Sequence, residues 1–286
     1  MPYESFQVTI EKQIAHIQLC RPEKRNSMTP AFWRELPQIV NDIDQNAKAR
    51  VIVISSTGKA FTAGMDLAVF GADPSVSGES AGDEATPQTA RLQHGARFHD
   101  SLDYYQETFS CLENCRIPVL AAIQGACVGG GVDFVTACDM RYATEDAFLS
   151  IFEINIGMTA YVGTFPRLVK LIPEGVVREL AYTGRRIYAE EARSVGLVNR
   201  VFPDQESMLT EVMNIAAEIA SKPPMAVYGC KKLINYSRDH TTADTLDYIA
   251  AWNAAMLLPS EMQEAMAANA EKRPGKFVDL PAKRVR

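Results

Sequence analysis

The first two thirds of the chain alternate between short apolar runs and segments whose apolar residues repeat with helical spacing. Runs at 6–10 and 14–20, rich in β-branched residues and separated by a polar turn, predict a β-hairpin. Apolar runs that are too short for helices and typical of buried strands follow at 51–55, at 118–123, and near 140–143 and 148–151. The order of these elements predicts repeated strand-strand-helix units.

Helices are predicted between the strands and throughout the last part of the chain. Thr29 followed by Pro30 is typical of a helix start, and the apolar residues after it repeat every three or four positions. A second helix is predicted at about 90–114, and helical patterns follow at 164–171, 174–182, 189–194, 205–221, 223–236 and 242–272. The sequence therefore predicts an α/β core over residues 1–200 and a helical region over residues 201–286.

One segment before the second predicted helix contains almost no apolar residues. Residues 71–89 consist mainly of Gly, Ala, Asp, Pro, Ser and Glu. Such a segment cannot contribute to a hydrophobic core. We therefore expect an inserted, mobile surface loop there.

Composition narrows the classes of function. Hydrophobic residues make up 47% and charged residues 22% of the chain, which is typical of a globular protein. The formal net charge of -6 disfavours general attraction to nucleic acid, and no apolar run is suited to crossing a membrane, so neither is an expected partner. The start of the chain lacks a signal-peptide pattern and the six cysteines show no pairing pattern, so reduced thiols and a cytoplasmic location are expected.

Two polar clusters are better explained by structure than by function. Cys111 and Cys115 have a spacing that suits half of a metal site, but no histidine lies beside them, so we expect ordinary packing and no metal. Arg238, Asp239 and His240 are expected to form a boundary between two C-terminal helices.

Three consecutive glycines follow the predicted strand at 118–123. Gly129, Gly130 and Gly131 lack side chains, so backbone N–H groups can lie bare at the start of the following helix, where a developing negative oxygen would be held. Tight helix packing is the alternative interpretation of such a run.

Two carboxylates lie close to these glycines in sequence. Asp133 follows them directly, and Glu153 stands among the apolar residues Ile151, Phe152, Ile154 and Ile156, which are expected to desolvate it and raise its pKa. This pattern indicates proton transfer beside a stabilised enolate. The alternatives are a glutamate that faces solvent at a strand end and an aspartate placed by the helix dipole.

The motifs together resemble those of a known family. They are Gly-Lys-Ala-Phe-Thr-Ala-Gly-Met-Asp at 58–66, the block at 123–139 with Gly-Gly-Gly-Val-Asp, Phe-Glu-Ile-Asn-Ile-Gly at 152–157, and Gly-Thr-Phe-Pro-Arg-Leu at 163–168. On these motifs the chain resembles the crotonase superfamily, the enoyl-CoA hydratases and isomerases, over essentially its whole length. Segments 198–204 and 236–253 resemble the Δ3,5-Δ2,4-dienoyl-CoA isomerases within it.

The resemblance implies a fold and an assembly. The fold is a crotonase-like α/β spiral of strand-strand-helix units whose helical C-terminal region builds trimers. A homotrimer, or a hexamer formed as a dimer of trimers, is therefore expected.

The resemblance also implies roles for site residues. The N–H groups of Met65 and Gly130 would hold the carbonyl oxygen of an acyl-CoA thioester. Glu153 would be the general acid/base at carbon 2 of the acyl chain, and Asp133 the second carboxylate. Tyr161 stands where dienoyl-CoA isomerases carry a further acid for the distal proton, and it is the third catalytic candidate, because its hydroxyl can donate a hydrogen bond. The alternatives are that Asp133 or a water replaces that acid, or that Tyr161 narrows the acyl pocket and the enzyme does simpler chemistry with Asp133 and Glu153 alone.

Binding residues follow from the same resemblance. Those expected to contact the acyl-CoA are Ala63, Gly64, Asp66 and Gly129, with Lys24, Arg25 and Lys272 as candidates for the phosphates of coenzyme A. Solvated surface cations are the alternative for the three basic residues.

The expected activity is therefore isomerisation of Δ3,5- to Δ2,4-dienoyl-CoA in unsaturated fatty-acid β-oxidation. A hydratase acting on 2-enoyl-CoA is the alternative enzyme, and an acyl-CoA binder without activity is the alternative from another class. No cofactor is expected, because the coenzyme A thioester is itself the substrate. The acyl chain length stays open.

Overall fold

Two β-sheets organise the core in a computed structural model that describes residues 3–66, 69 and 87–283. The larger sheet has the strand order β1-β2-β3-β5-β7-β10, and the smaller sheet has the order β4-β6-β8-β9. The strands are β1 Phe6–Glu11, β2 Ile14–Leu19, β3 Val51–Ser56, β4 Ala60–Thr62, β5 Val119–Ile123, β6 Ala126–Val128, β7 Met140–Thr144, β8 Phe148–Ser150, β9 Ile187–Tyr188 and β10 Arg200–Phe202.

Consecutive strands are divided between the two sheets. β3, β5 and β7 pair in parallel in the larger sheet, and the strands that follow them, β4, β6 and β8, pair in parallel in the smaller one. Antiparallel pairing joins β1 to β2 and β8 to β9. The predicted hairpin and the predicted repetition of strand-strand-helix units are confirmed.

Ten α-helices lie in the described residues. They are α1 Pro30–Gln45, α2 Pro87–Asn114, α3 Gly130–Thr136, α4 Thr164–Leu168, α5 Glu174–Thr183, α6 Ala189–Ser194, α7 Gln205–Ala220, α8 Pro224–Ser237, α9 Thr242–Met256 and α10 Pro259–Ala270. α7 packs on the larger sheet, where its Met208, Val212 and Ala216 are buried against β3, β5 and β7. The division into residues 1–200 and 201–286 stays a prediction.

Some predicted elements were wrong in extent. The helical stretch at 242–272 is two helices, because Leu257 and Leu258 are extended before Pro259, and α4 ends at Leu168 rather than at 171. Residues 87–89 of the predicted loop already belong to α2, and residues 71–86 lie outside the described residues. The short strands β4, β6, β9 and β10 were not predicted.

The predicted boundary between two C-terminal helices is confirmed, and Cys111 and Cys115 pack in the hydrophobic core. Arg238 to His240 separate α8 from α9, and Thr241 then caps α9 in a capping box with Asp244. All six cysteines are free thiols, four of them buried, and burial raises the pKa of Cys111, Cys115, Cys127 and Cys138. No group of three or more His, Cys, Asp or Glu side chains within 3–66, 69 and 87–283 could hold a metal ion.

An aromatic cluster fixes the short helix α3 in the core. Phe134 stacks on Phe109 at a centroid distance of 5.3 Å and meets the edge of Phe32 at 5.6 Å. Phe61 lies 5.8 Å from it on another side. Since all these rings are fully buried, α3 is held rigidly, and with it the aspartate that precedes Phe134.

Candidate active site

A cavity of about 420 Å³ lies where α3, the segment after β4 and the turn after β8 meet. It brings together most of the residues that the sequence singled out. These are Ala63, Gly64, Met65, Asp66, Gly129, Gly130, Asp133, Glu153 and Tyr161. Residues far apart in sequence therefore form one site.

Two backbone nitrogens lie side by side in this cavity. A Cβ on Gly130 would lie 3.9 Å from the Met65 nitrogen, and a Cβ on Gly64 would lie 3.5 Å from the Gly130 nitrogen. Met28 forms two backbone hydrogen bonds with the neighbours of Met65: its N–H donates to the Gly64 carbonyl, and its carbonyl accepts from the Asp66 N–H. The Met65 N–H lies between these two bonds and points away from Met28. Within the described chain neither nitrogen donates a hydrogen bond, so both are available to one oxygen.

The glycines serve close approach as well as packing. Gly129 has a φ of +55°, and a Cβ there would lie 3.2 Å from Glu153 Oε1. A Cβ on Gly131 would lie 2.6 Å from the Thr62 methyl carbon, a contact that belongs to helix packing. The packing interpretation therefore applies to Gly131, and the binding of an oxygen by the glycine N–H groups stays a prediction.

Glu153 lies in a 3-10 turn at Phe152–Ile156 that follows β8. Burial, together with the negative charge of Asp133, raises its pKa from the ordinary 4.5 to about 7. Its Oε2 atom is buried and has no hydrogen-bond partner in the described structure. The carboxyl is therefore shielded rather than solvent-facing, and its proton affinity suits transfer near neutral pH.

The neighbours that were predicted to shield Glu153 are buried to different extents. Ile151 is buried, whereas Phe152, Ile154 and Ile156 are 45%, 44% and 51% exposed. Phe152 and Ile156 line the cavity beside Glu153. Gly129 across the cavity supplies part of the cover.

Asp133 is fully buried on α3. Its Oδ1 accepts a hydrogen bond of 2.7 Å from the Thr164 N–H, and its Oδ2 is buried without a partner in the described residues. Burial raises its pKa from 3.8 to about 6, against the lowering effect of the Thr164 hydrogen bond and of the Arg167 charge. The side chain thus binds the start of another helix and does not cap its own.

Tyr161 borders the same cavity from the segment between the 3-10 turn and α4. Its ring meets Phe98 edge-on at 5.7 Å, and its hydroxyl lies 3.8 Å from Met65 Sδ. The ring also borders a second cavity of about 640 Å³, whose walls include Glu113, Arg167 and Lys170. Tyr161 therefore stands between an apolar cavity and a charged one.

The three predicted phosphate-binding cations do not line the cavity. Lys24 and Arg25 are exposed, and only the Arg25 carbonyl reaches its edge, accepting the Ala63 N–H at 2.9 Å. Lys272 is exposed directly after α10. Their contribution to binding stays a prediction.

Sequence reasoning missed two polar contacts of the site. Ser27 donates to Asp66 Oδ2 at 2.7 Å, and the Thr164 N–H holds Asp133. Gly163 before Thr164 was a usable signal, since a glycine that precedes a helix leaves the first N–H groups open to an acceptor. Nothing in the sequence indicated that Asp133, 31 positions earlier, would be that acceptor.

Comparison with known proteins extends the description. The sequence model of the family described as Enoyl-CoA hydratase/isomerase matches residues 9–93 and 80–280. The chain is 45% identical over 278 residues to mitochondrial Delta(3,5)-Delta(2,4)-dienoyl-CoA isomerase of Homo sapiens, covering 96% of this chain and 82% of that protein. It is 36% identical over 277 residues to the peroxisomal enzyme of that name from Arabidopsis thaliana, covering 97% of each.

A solved structure matches over nearly the whole chain. The crystal structure of enoyl-CoA hydratase from Bacillus anthracis superposes with a TM-score of 0.83 at 29% identity, covering 96% of this chain and 99% of that one. The fold predicted from the sequence is confirmed by this superposition. In the described residues no helix is both long enough and apolar enough to cross a membrane.

Proposed function

Because this chain belongs to the enoyl-CoA hydratase/isomerase family, we propose that it converts 3,5-dienoyl-CoA into 2,4-dienoyl-CoA. The observation that carries the proposal is one cavity containing two buried carboxyls, Asp133 and Glu153, beside the paired N–H groups of Met65 and Gly130. The human and Arabidopsis relatives, which match over most of the chain, are named as Delta(3,5)-Delta(2,4)-dienoyl-CoA isomerases.

The first step is removal of a proton from carbon 2. The Met65 and Gly130 N–H groups donate to the thioester oxygen, which becomes negative as the Glu153 carboxylate takes the proton. Each such preorganised donor contributes on the order of 3 kcal/mol to lowering the barrier. The resulting anion is delocalised over the oxygen and carbons 2, 4 and 6.

The second step adds a proton at carbon 6, so that the double bonds end at positions 2 and 4. One proton leaves the substrate and one returns, and no oxidant or reductant is needed. Asp133 supplies the second proton, since its Oδ2 has no partner in the described structure and its pKa of about 6 leaves part of the population protonated near neutral pH.

The two carboxyls must share one proton for this cycle. Their pKa values of about 6 and about 7 describe a coupled pair in which the doubly ionised state is disfavoured by like charge. The singly protonated pair contains one base and one acid. Because the pKa of Glu153 is the higher of the two, the shared proton rests mainly on Glu153, and the reacting form, with ionised Glu153 and protonated Asp133, is the minor form of this pair.

Tyr161 is assigned a shaping role in this scheme. A phenol titrates near pH 10 and is a poor base at neutral pH. The ring instead closes the cavity at the end that lies against Phe98 and Met65. Asp133 therefore carries the distal proton, directly or through a water.

A hydratase is the second candidate function, and the same two carboxyls favour it. Asp133 and Glu153 line one cavity, and each has one buried carboxyl oxygen without a partner in the described chain. Together the two carboxyls would orient a water for addition to a 2-enoyl-CoA. A binder without activity is disfavoured, because two buried carboxyls are costly when nothing uses them.

Parallel assays with 3,5-dienoyl-CoA and 2-enoyl-CoA separate these functions. The proposal expects a change in diene absorbance with the first substrate and little hydration of the second. Efficient hydration of 2-enoyl-CoA with no action on 3,5-dienoyl-CoA would replace the isomerase with the hydratase.

Assembly, binding and location complete the proposal. A homotrimer or hexamer is supported by exposed apolar side chains on and between α9 and α10, among them Leu246, Leu257 and Met266, and light scattering would determine the mass.

Lys24, Arg25 and Lys272 bind the phosphates of coenzyme A, and no further cofactor takes part. A cytoplasmic location stays a prediction; the human relative is named as mitochondrial and the Arabidopsis relative as peroxisomal.

A further inference from the structure

A shielded cluster of charges lies outside the cavity and joins three helices. Glu113, on the last turn of α2, accepts a hydrogen bond of 2.7 Å from Arg167 Nε of α4 and one of 3.0 Å from Arg238 Nη1 at the end of α8. Arg167 Nη2 also donates to Ser110 Oγ at 3.1 Å. The Arg167 side chain is 10% exposed, so these bonds are largely protected from water.

The Arg167 guanidinium folds back over the start of its own helix. Gly163, which precedes α4, has a φ of +133°, and a Cβ there would lie 1.9 Å from Arg167 Nη1. Only glycine leaves room for this arrangement. The Arg167 guanidinium is therefore held between the Gly163 backbone, at the start of α4, and the Glu113 carboxylate.

The same helical turn holds the buried carboxyl of the cavity. Thr164, the first residue of α4, donates its N–H to Asp133 Oδ1 at 2.7 Å. We propose that Arg167, anchored by Glu113, is a positioning residue that fixes this turn and thereby the orientation of Asp133. The role assigned to Asp133 rests on the proposed function, whereas the positioning itself does not.

Charge adds to this mechanical link. Three charged or titratable groups interact electrostatically with Asp133. Arg167 lowers the pKa of Asp133, and the charge of Asp133 raises the pKa values of Cys127 and Glu153. Arg167 is the cation of this set, and it lowers the pKa of Asp133 while burial raises it. Removing the guanidinium charge should therefore raise the pKa of Asp133.

The test compares two variants. Arg167→Gln removes the positive charge, whereas Arg167→Lys keeps the charge but lacks the planar guanidinium that donates to both Glu113 and Ser110. In the intact protein labelled at aspartate carboxyl carbons, NMR would follow the titration of Asp133, assigned by the signal missing from Asp133→Asn. Arg178→Gln is the matched control, because Arg178 is an exposed arginine paired with Glu174 on α5.

We expect Arg167→Gln to raise the pKa of Asp133 by about one pH unit, and Arg167→Lys to raise it less. Both variants should lower kcat for 3,5-dienoyl-CoA by about 10-fold or more with little change in KM, because the displaced carboxyl acts in the reaction rather than in binding. Arg178→Gln should change neither quantity.

Folded Arg167 variants with an unchanged Asp133 titration and unchanged kcat would overturn the proposal. If Arg167→Gln does not fold, the kcat of Arg167→Lys is the deciding measurement. A kcat equal to that of the unmodified protein would refute the positioning role. The titration of Asp133 needs no substrate. If the unmodified protein has no isomerase activity, the proposed function is wrong, but the titration in the Arg167 variants still decides whether Arg167 positions Asp133.

Discussion

Glu153 Oε1 lies 3.2 Å from the point that a Cβ on Gly129 would occupy. The Glu153 carboxyl thus approaches the space that a side chain at 129 would occupy. The absence of that side chain is a condition for the position of this carboxyl.

Gly129→Ala tests this relationship. The added methyl group would displace Glu153, and alanine would be strained at a φ of +55°, so we expect kcat/KM to fall by about 10- to 100-fold. Gly175→Ala is the matched control, since no atom lies within 4 Å of a Cβ added there, and it should leave activity unchanged. Full activity of Gly129→Ala in steady-state assays would contradict the close approach.

Glu153→Gln should keep the shape of the site and remove its base. We expect turnover of 3,5-dienoyl-CoA to fall by at least ~10²-fold, with nearly unchanged affinity for a saturated acyl-CoA measured by calorimetry. Glu206→Gln, an exposed glutamate on α7, should behave like the unmodified protein. Near-normal turnover without Glu153 would remove it from the mechanism.

The activity should have a bell-shaped dependence on pH. The singly protonated pair of Asp133 and Glu153 predominates between their pKa values of about 6 and about 7, so kcat/KM should be highest in that interval. Below it the second carboxyl is protonated and no base remains, and above it the last proton is lost. A kcat/KM that is constant from pH 5 to pH 9 would show that the pair does not control the rate.

Asp133→Asn should stabilise the protein in a pH-dependent way. The pKa of Asp133 is about 6 in the folded protein against an ordinary 3.8, so the folded state binds the proton more tightly than the unfolded state. The stability of the unmodified protein therefore falls as pH rises from about 4 to 6, by roughly 3 kcal/mol from this group, and stays at that level above.

Urea unfolding at pH 4, 6 and 8 would measure this effect as the difference between Asp133→Asn and the unmodified protein. The free energy of unfolding of Asp133→Asn, relative to that of the unmodified protein, should increase between pH 4 and 6 and then level off. Asp204→Asn is the control of opposite sign, because the Ser207 N–H lowers the pKa of Asp204 at the start of α7. An equal difference in the free energy of unfolding at all three pH values would mean that Asp133 titrates with its ordinary pKa.

Tyr161→Phe should keep activity on 3,5-dienoyl-CoA within a few-fold. A phenol is a poor acid or base at neutral pH, and the ring that borders the cavity is retained. Tyr161→Asp should raise diene isomerisation by placing a second acid at that end of the cavity. A loss of 10-fold or more in Tyr161→Phe, measured by diene absorbance, would instead assign the hydroxyl to the proton transfer.

Much of the fold follows from local patterns in the sequence. The spacing of apolar residues after Thr29 and Pro30 predicts α1 correctly, and the two β-rich runs at the start predict the hairpin. Pro259 could have divided the last helical stretch, since the residue before a proline is disfavoured in helical conformation. β9, with two residues, is too short to show a period, so only its pairing with β8 defines it.

The site was predictable to the extent that its residues lie in motifs. The glycine run and Glu153 are recognisable from residue types and neighbours. The link from Arg167 through Thr164 to Asp133 is not, because it depends on how α2, α4 and α8 pack. The three cations proposed for coenzyme A also lacked any local pattern that separates a ligand contact from a solvated side chain.

The wall formed by Tyr161 has a consequence for the length of the acyl chain. On one side lies the apolar cavity, and on the other lies a cavity whose walls include the charged residues Arg167, Lys170 and Glu113. Burial of a methylene in the apolar cavity contributes about 0.8 kcal/mol to binding, and a methylene that extends past Tyr161 among the charged residues contributes nothing comparable. We therefore expect Tyr161 to limit the length of the acyl chain at the point where the burial of hydrocarbon stops being favourable.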